Sequence, residues 1–226
     1  NLGGRMIVVF DLDGTLIDSA ADIHAAVNHV LAENGVPPLP LTSVRSFIGE
    51  GTRVLMQRVI AAVGADPALL EPWHTSFLAE YERNPAVRTT VFPGVREALA
   101  QLRDRGARLG LCTNKPARAT GLLLEALDLA VFDQVTAGDT LAERKPSPLP
   151  VLHTINVLGG GEAVFIGDSE IDARAAEAGR IPFGIFTGGY AREDLDMFPS
   201  RFHFSDWADL PALINPAFVD PAASPA

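Results

Sequence analysis

Asp11 and Asp13 stand two residues apart where the apolar run MIVVF (6–10) ends, with Gly14 directly after them. Carboxylates so close repel each other unless a cation sits among them. Polar residues also follow later apolar runs. Thr113, Asn114 and Lys115 come after ARLGLC (107–112), and Gly167, Asp168 and Ser169 after AVFI (163–166), with Asp172 one helical turn further on. Lys145 lies in ERKPSP, ahead of the helix that leads into 163–166. Brought together, these give four carboxylates, a hydroxyl and one or two ammonium groups. An all-oxygen cluster of this kind suits a hard cation, so Mg2+ is the expected cofactor. A carboxylate screened by the ion and by a lysine can attack phosphorus, which makes Asp11 the candidate nucleophile. Asp13 can protonate a leaving alkoxide and then activate the water that hydrolyses the aspartyl phosphate. The residues alone leave open whether Lys115 or Lys145 is the screening cation.

These groups meet only if the strands they follow lie side by side. Apolar strand patterns occur at 6–10, 107–112, 131–135, 163–166 and 181–186, and helical patterns at 94–105, 116–127, 148–158 and 170–178. Alternation of this kind predicts a parallel α/β sheet wrapped on both faces, whose ligands bind beyond the carboxyl ends of the strands. The stretch between the first two strands is far longer than an ordinary crossover and reads as helix at 19–34, 42–47, 52–63 and 67–83. The expected architecture is a Rossmann-like core domain (6–17 and 92–214) with an inserted all-α cap domain (18–91), hinged at 17–20 and 92–94. NLGGR (1–5) reads as a remnant ahead of a natural start at Met6. The Pro- and Ala-rich tail 215–226 reads as extended or disordered.

Composition narrows the partners. The formal charge is −10, with no basic run, which argues against nucleic acid or an anionic membrane surface. No membrane span or signal peptide is evident, and the single cysteine, Cys112, lies inside an apolar run. A cytoplasmic location and an inert core thiol are expected. The remaining partner is a small-molecule phosphate ester, with the chain a monomer or homodimer.

Several residues have simpler readings. Asp139 in AGDT is expected to cap a helix or shape a turn, and Asp172 alone would complement a helix start. The five histidines show no metal spacing. Leu55, Met56, Val59 and Ile60 follow helical spacing and should form the core of the insert. In FIGEGTRVL, Gly49 and Gly51 make a flexible loop before a helix start near Thr52. Free amides there, with Arg53, are candidates to receive a substrate carboxylate.

DLDGTL (11–16), TNK (113–115), RKP (144–146) and GDSEID (167–172) resemble, in order and spacing, the four motifs of the haloacid dehalogenase superfamily. The helical insert resembles the α-helical cap of that superfamily's large phosphatase branch. Within the branch, FDLDGTLIDSAADI, TNKP and AGDTLAERKPSPLPVLH are similar to the phosphoglycolate phosphatases. The resemblance implies Asp11 as nucleophile, Asp13 as acid/base and Lys145 as the screening lysine. It implies a phosphate site of Thr113, Asn114 and Lys145, and a metal site of Asp11, Asp13 through its carbonyl, Asp168 and Asp172. The implied reaction is Mg2+-dependent hydrolysis of 2-phosphoglycolate to glycolate and phosphate, in carbon salvage. Alternatives are a phosphatase for another small phosphomonoester or pyrophosphate, a sugar phosphomutase, and a non-catalytic binding module on the same fold.

Overall fold

The computed structural model describes residues 6–214; the expectations for 1–5 and 215–226 lie outside them. Strand β1 (Ile7–Phe10) sits in the middle of a six-stranded sheet. Its neighbours are β4 (Arg108–Cys112) and β6 (Ala163–Gly167), both parallel to it. Outside these lie β5 (Gln134–Thr136) on one side, and β7 (Phe183–Phe186) and β8 (Phe202–Phe204) on the other, giving the order β5-β4-β1-β6-β7-β8.

Side chains of β1 alternate between two buried faces. Val8 and Phe10 join a cluster with Leu99, Leu123 and Trp207, while Ile7 and Val9 join one with Val151, Phe165 and Ala173. Both faces are covered, as near-continuous apolar strands require. Helices α5 (Val95–Asp104), α6 (Ala117–Ala126) and α9 (Leu210–Leu213) cover the first face, and α7 (Leu149–Val157) and α8 (Glu170–Gly179) the second.

Between β1 and β4 the chain forms α1 (Ala20–Glu33), α2 (Leu41–Phe47), α3 (Thr52–Val63) and α4 (Leu70–Arg83), which share their own core of Val27, Met56, Val59, Trp73 and Phe77. The expected core positions Leu55, Met56, Val59 and Ile60 are all buried there. The chain enters and leaves this layer through β2 (Ile17–Asp18) and β3 (Thr90–Val91), an antiparallel pair. Buried Asp22 ties the two crossings together by accepting Arg88 N–H and Thr89 N–H at 2.9 and 2.7 Å.

Three sequence expectations shift. The strand expected at 131–135 starts at Gln134, because Val131 and Phe132 pack into the core and Asp133 takes a lead-in position, its carboxylate accepting Leu109 N–H at 2.8 Å. The helix expected at 67–83 is a 3-10 turn over Pro67–Leu69, capped by Asp66, followed by α4. The edge strand β8 adds a sixth strand, where Phe202 and Phe204 flank an exposed His203. Among the described residues, no helix is long and apolar enough to cross a membrane.

Candidate active site

The carboxyl ends of β1, β4 and β6 converge, and the polar residues that follow them form one buried cluster. Asp11 extends the β1–β6 ladder, its N–H donating to Ile166 O at 2.9 Å. Asp13 follows, and Gly14 turns the chain with φ of +89°. A Cβ at Gly14 would lie 2.4 Å from Asp168 Oδ2, so only glycine lets the two strand-end loops come this close.

The two lysines divide the aspartates between them. Lys145 Nζ donates to Asp11 Oδ1 and to Asp172 Oδ1, both at 2.7 Å, and is 3% exposed. Lys115 Nζ donates to both oxygens of Asp13, at 2.9 and 3.0 Å. Burial would strip charge from either ammonium, but the facing carboxylates win and hold both lysines above their ordinary range. Asp13 also accepts Ser19 Oγ, at 2.5 Å. Lys145 thus faces Asp11, and Lys115 faces Asp13.

Asn114 fixes the position of Lys145. Its Nδ2 donates to Lys145 O at 2.8 Å and to Gly49 O at 3.0 Å, while its Oδ1 accepts Lys145 N–H at 3.0 Å. Both amide hydrogens are spent, so its side chain serves as a strut, while the residue lines the cavity beside Thr113 and Lys115. Thr113, 4% exposed, accepts Lys115 N–H at 3.2 Å, and its hydroxyl hydrogen is left unspent among the described residues.

Asp11, Asp168 and Asp172 bring one carboxylate oxygen each to within 4.8 Å of one another. Asp168 accepts Thr15 Oγ1 and Tyr190 N–H, each at 2.6 Å, and is 1% exposed. Asp172 closes a capping box with Ser169 at the start of α8. Asp172 therefore starts the helix and also stands beside Asp11 and Asp168. Burial raises Asp11 to about 7 against the pull of Lys145, and burial with Asp172 and Asp11 raises Asp168 well above the carboxylate range. Three buried carboxylates with a single ammonium leave an excess of negative charge. The donor set, all hard oxygen, fits a divalent cation of the Mg2+ type. Asp13 is not among the clustered carboxylates; its side chain belongs to Lys115.

The four-helix layer closes over this cluster. Ile23, Ile48, Leu55, Phe77 and Tyr81 form its side of a cavity floored by Asp11, Asp13, Thr113 and Lys115. Room for the centres of water molecules is about 40 Å³. One water takes roughly 10–15 Å³ on that scale, so the occupant is small. The loop before α3 rims the cavity, and Gly51, with φ of +91°, approaches so near that a Cβ would sit 3.1 Å from Asn114 O. Gly49 and Thr52 line the cavity as well, which places the first turn of α3 at the site.

Arg53 does not line it. The side chain turns outward to pair with Glu71, its Nε 3.1 Å from Glu71 Oε1, because its position on α3 faces α4 and solvent. Asp139 acts as a cap, accepting Ala117 N–H at 2.8 Å at the start of α6. Cys112 is buried with its thiol pushed up to about 12 by burial, as an inert core residue would be.

Three residues at the site escape the sequence reading. Tyr81 covers Lys115, whose Nζ lies 4.7 Å from the ring centre, and its buried hydroxyl has no hydrogen-bond partner among the described residues. Tyr190 gives its N–H to Asp168, while its hydroxyl accepts Ser19 N–H at 2.8 Å and donates to Asp18 at 2.6 Å. Arg192 joins Glu170 and Glu50 across the two layers. An aromatic at helical spacing and a polar loop, GGYARED, carry no periodic signal that would mark them.

Comparison with known proteins agrees with this geometry. Residues 6–180 match the family described as haloacid dehalogenase-like hydrolase. A phosphoglycolate phosphatase of Cereibacter sphaeroides is 45% identical over 211 residues, covering 92% of this chain and 97% of that protein. Its counterpart in Rhodospirillum rubrum is 39% identical over 213 residues, covering 90% and 88%. The crystal structure of a predicted phosphoglycolate phosphatase from Haemophilus somnus superposes with a TM-score of 0.88 at 27% identity, covering 93% of this chain and 98% of the other.

Proposed function

Because the chain belongs to the haloacid dehalogenase-like hydrolase family and is a phosphatase, we propose that it hydrolyses 2-phosphoglycolate to glycolate and phosphate through an aspartyl phosphate on Asp11. The observation that carries the reading is that Asp11 and Asp13 open onto one small cavity, each held by its own buried lysine. Two carboxylates with separate partners can take separate roles.

Asp11 Oδ1 is held by Lys145, which leaves Oδ2 to attack phosphorus as the bond to the leaving oxygen breaks. Asp13 gives its proton to that oxygen, and glycolate departs. Water then attacks the phosphorus of the aspartyl phosphate while Asp13 takes its proton, releasing phosphate and restoring the Asp11 carboxylate. Thr113 donates its unspent hydroxyl hydrogen to the phosphoryl group, and Lys145 balances charge on nucleophile and phosphoryl oxygens. Asp11, Asp168 and Asp172, with the Asp13 carbonyl, would hold Mg2+, which would supply charge neutralisation at the phosphoryl group.

The helical segment 18–91 serves as the cap, hinged at 17–20 and 92–94, and its closure excludes bulk water. The 40 Å³ cavity and its apolar roof favour a small leaving group. With Arg53 turned away, the substrate carboxylate is received by the free amides in the first turn of α3, beside Thr52.

The test is phosphate release with and without Mg2+, comparing 2-phosphoglycolate with ethyl phosphate, sugar phosphates and pyrophosphate, with Asp11→Asn as control. 2-Phosphoglycolate is expected to lead in kcat/KM by at least about tenfold. A lead by another ester overturns the substrate assignment, and activity in Asp11→Asn overturns the mechanism.

A further inference from the structure

We propose that Arg192, in the loop after β7, is a positioning residue that latches the cap loop at Gly49–Gly51 onto the sheet layer through Glu50. The inference rests on the reading of the helical layer as a closing cap. Its first support is that Arg192 is anchored on one side only. Glu170, at the start of α8, is 1% exposed and accepts Arg192 Nε at 2.7 Å and Arg192 N–H at 3.2 Å. A carboxylate buried this deeply keeps its partner.

The other half of the contact reaches across to the cap. Arg192 Nη2 lies 3.1 Å from Glu50 Oε1, and its Nη1 donates to Ser46 O at 3.4 Å. Glu50 stands between Gly49 and Gly51, is 30% exposed, and has a second partner on its own layer in Arg58. When the layers part, Glu50 keeps Arg58 and Arg192 keeps Glu170. Nothing is left buried and unpaired, so this half of the contact breaks and reforms at low cost.

The same loop grips the cap at a second point. Arg45 of α2 donates to Gly189 O at 3.0 Å, and its guanidinium lies 4.8 Å from the Tyr190 ring centre. Closing these contacts brings Gly49 O to Asn114 Nδ2, the strut that also holds Lys145. A latch on Glu50 therefore sets how long the cavity stays complete. It acts on substrate retention rather than on the phosphoryl step.

The test is Glu50→Gln, Arg192→Gln and the double variant, read by steady-state kinetics and by hydrogen exchange of the amides at 46–54. Each single change is expected to raise KM by about two- to fivefold with kcat maintained or raised, and to speed exchange at 46–54 by a similar factor. The double variant should be no worse than the worse single one. Wild-type KM should rise with NaCl, and that response should flatten in Glu50→Gln. Independent, multiplying effects of the two substitutions overturn the proposal, as does an unchanged exchange rate in Glu50→Gln. Arg192→Gln leaves Glu170 unpaired; should it fail to fold, Glu50→Gln with its salt response and exchange rate decides alone. The exchange measurement stands whichever phosphate ester is turned over, so a wrong substrate and an absent latch give different results.

Discussion

Asn114 and Lys145 exchange hydrogen bonds in both directions, Nδ2 to the lysine carbonyl at 2.8 Å and the lysine N–H to Oδ1 at 3.0 Å. The loop after β4 thereby fixes the backbone of a residue whose ammonium serves β1 and α8. Lys145 holds its place by main-chain pairing before its charge is considered.

Asn114→Ala should therefore behave as a loss of position. It leaves the Lys145 N–H and two carbonyls without partners, at about 1–3 kcal/mol, and each kcal/mol lowers Tm by roughly 2–4 °C. Misplacing the lysine should cut kcat by about 10–10²-fold. A rise in KM with kcat unchanged would instead mark Asn114 as a phosphate ligand. Thermal unfolding and steady-state kinetics on one preparation separate the two.

Lys145→Met removes the single ammonium facing Asp11 and Asp172 while keeping most of the side-chain volume. Metal-free protein should lose about 3–5 kcal/mol, the cost of breaking a buried pair from one side. Turnover should fall by about 10²–10³-fold. Adding Asp172→Asn to Lys145→Met should recover part of the stability and none of the activity. Chemical denaturation of the three proteins in EDTA checks this, and stability unchanged in Lys145→Met would refute it.

The strand-end carboxylates were legible because their logic is local: an apolar run, then Asp11 and Asp13, or Gly167 and Asp168, puts polar groups at the rim of any parallel sheet. The insert was legible because four helical patterns cannot fit within one crossover. What failed needs tertiary partners. Arg53 follows a glycine loop as an anion ligand would, yet its choice of Glu71 depends on how α3 packs against α4. The strut role of the Asn114 side chain depends on Lys145, 31 residues away, taking both ends of its amide. The strand β8 is three residues long with an exposed polar centre, and pairing with β7 rather than sequence pattern makes it a strand. Tyr190 and Arg192 lie in a loop whose contacts to Asp18 and Glu50 span 172 and 142 residues of sequence.

Gly189→Ala should impair the proposed cation site without replacing a carboxylate. A Cβ there would stand 2.2 Å from Asp168 Oδ2 and 2.3 Å from Asp168 Cβ, so either the loop or Asp168 must move. The expected result is weaker Mg2+ binding by isothermal titration, of about tenfold or more, as for loss of a group that orients a ligand. Wild-type Mg2+ affinity in Gly189→Ala would show that the loop yields and Asp168 stays.

The pH dependence of metal-free stability follows from Asp11. Burial raises it from 3.8 to about 7, so between those values the folded chain binds a proton that the unfolded chain has released. Its contribution is fully present below about pH 4 and is lost as pH rises through 7. In EDTA, the Tm of the wild type should therefore fall more between pH 5 and 7.5 than that of Asp11→Asn, which has no proton to lose. Saturating Mg2+, which takes the ionised carboxylate, should oppose that fall in the wild type. Parallel Tm curves for the two proteins in EDTA would show that Asp11 is ionised throughout the range, with Lys145 outweighing burial.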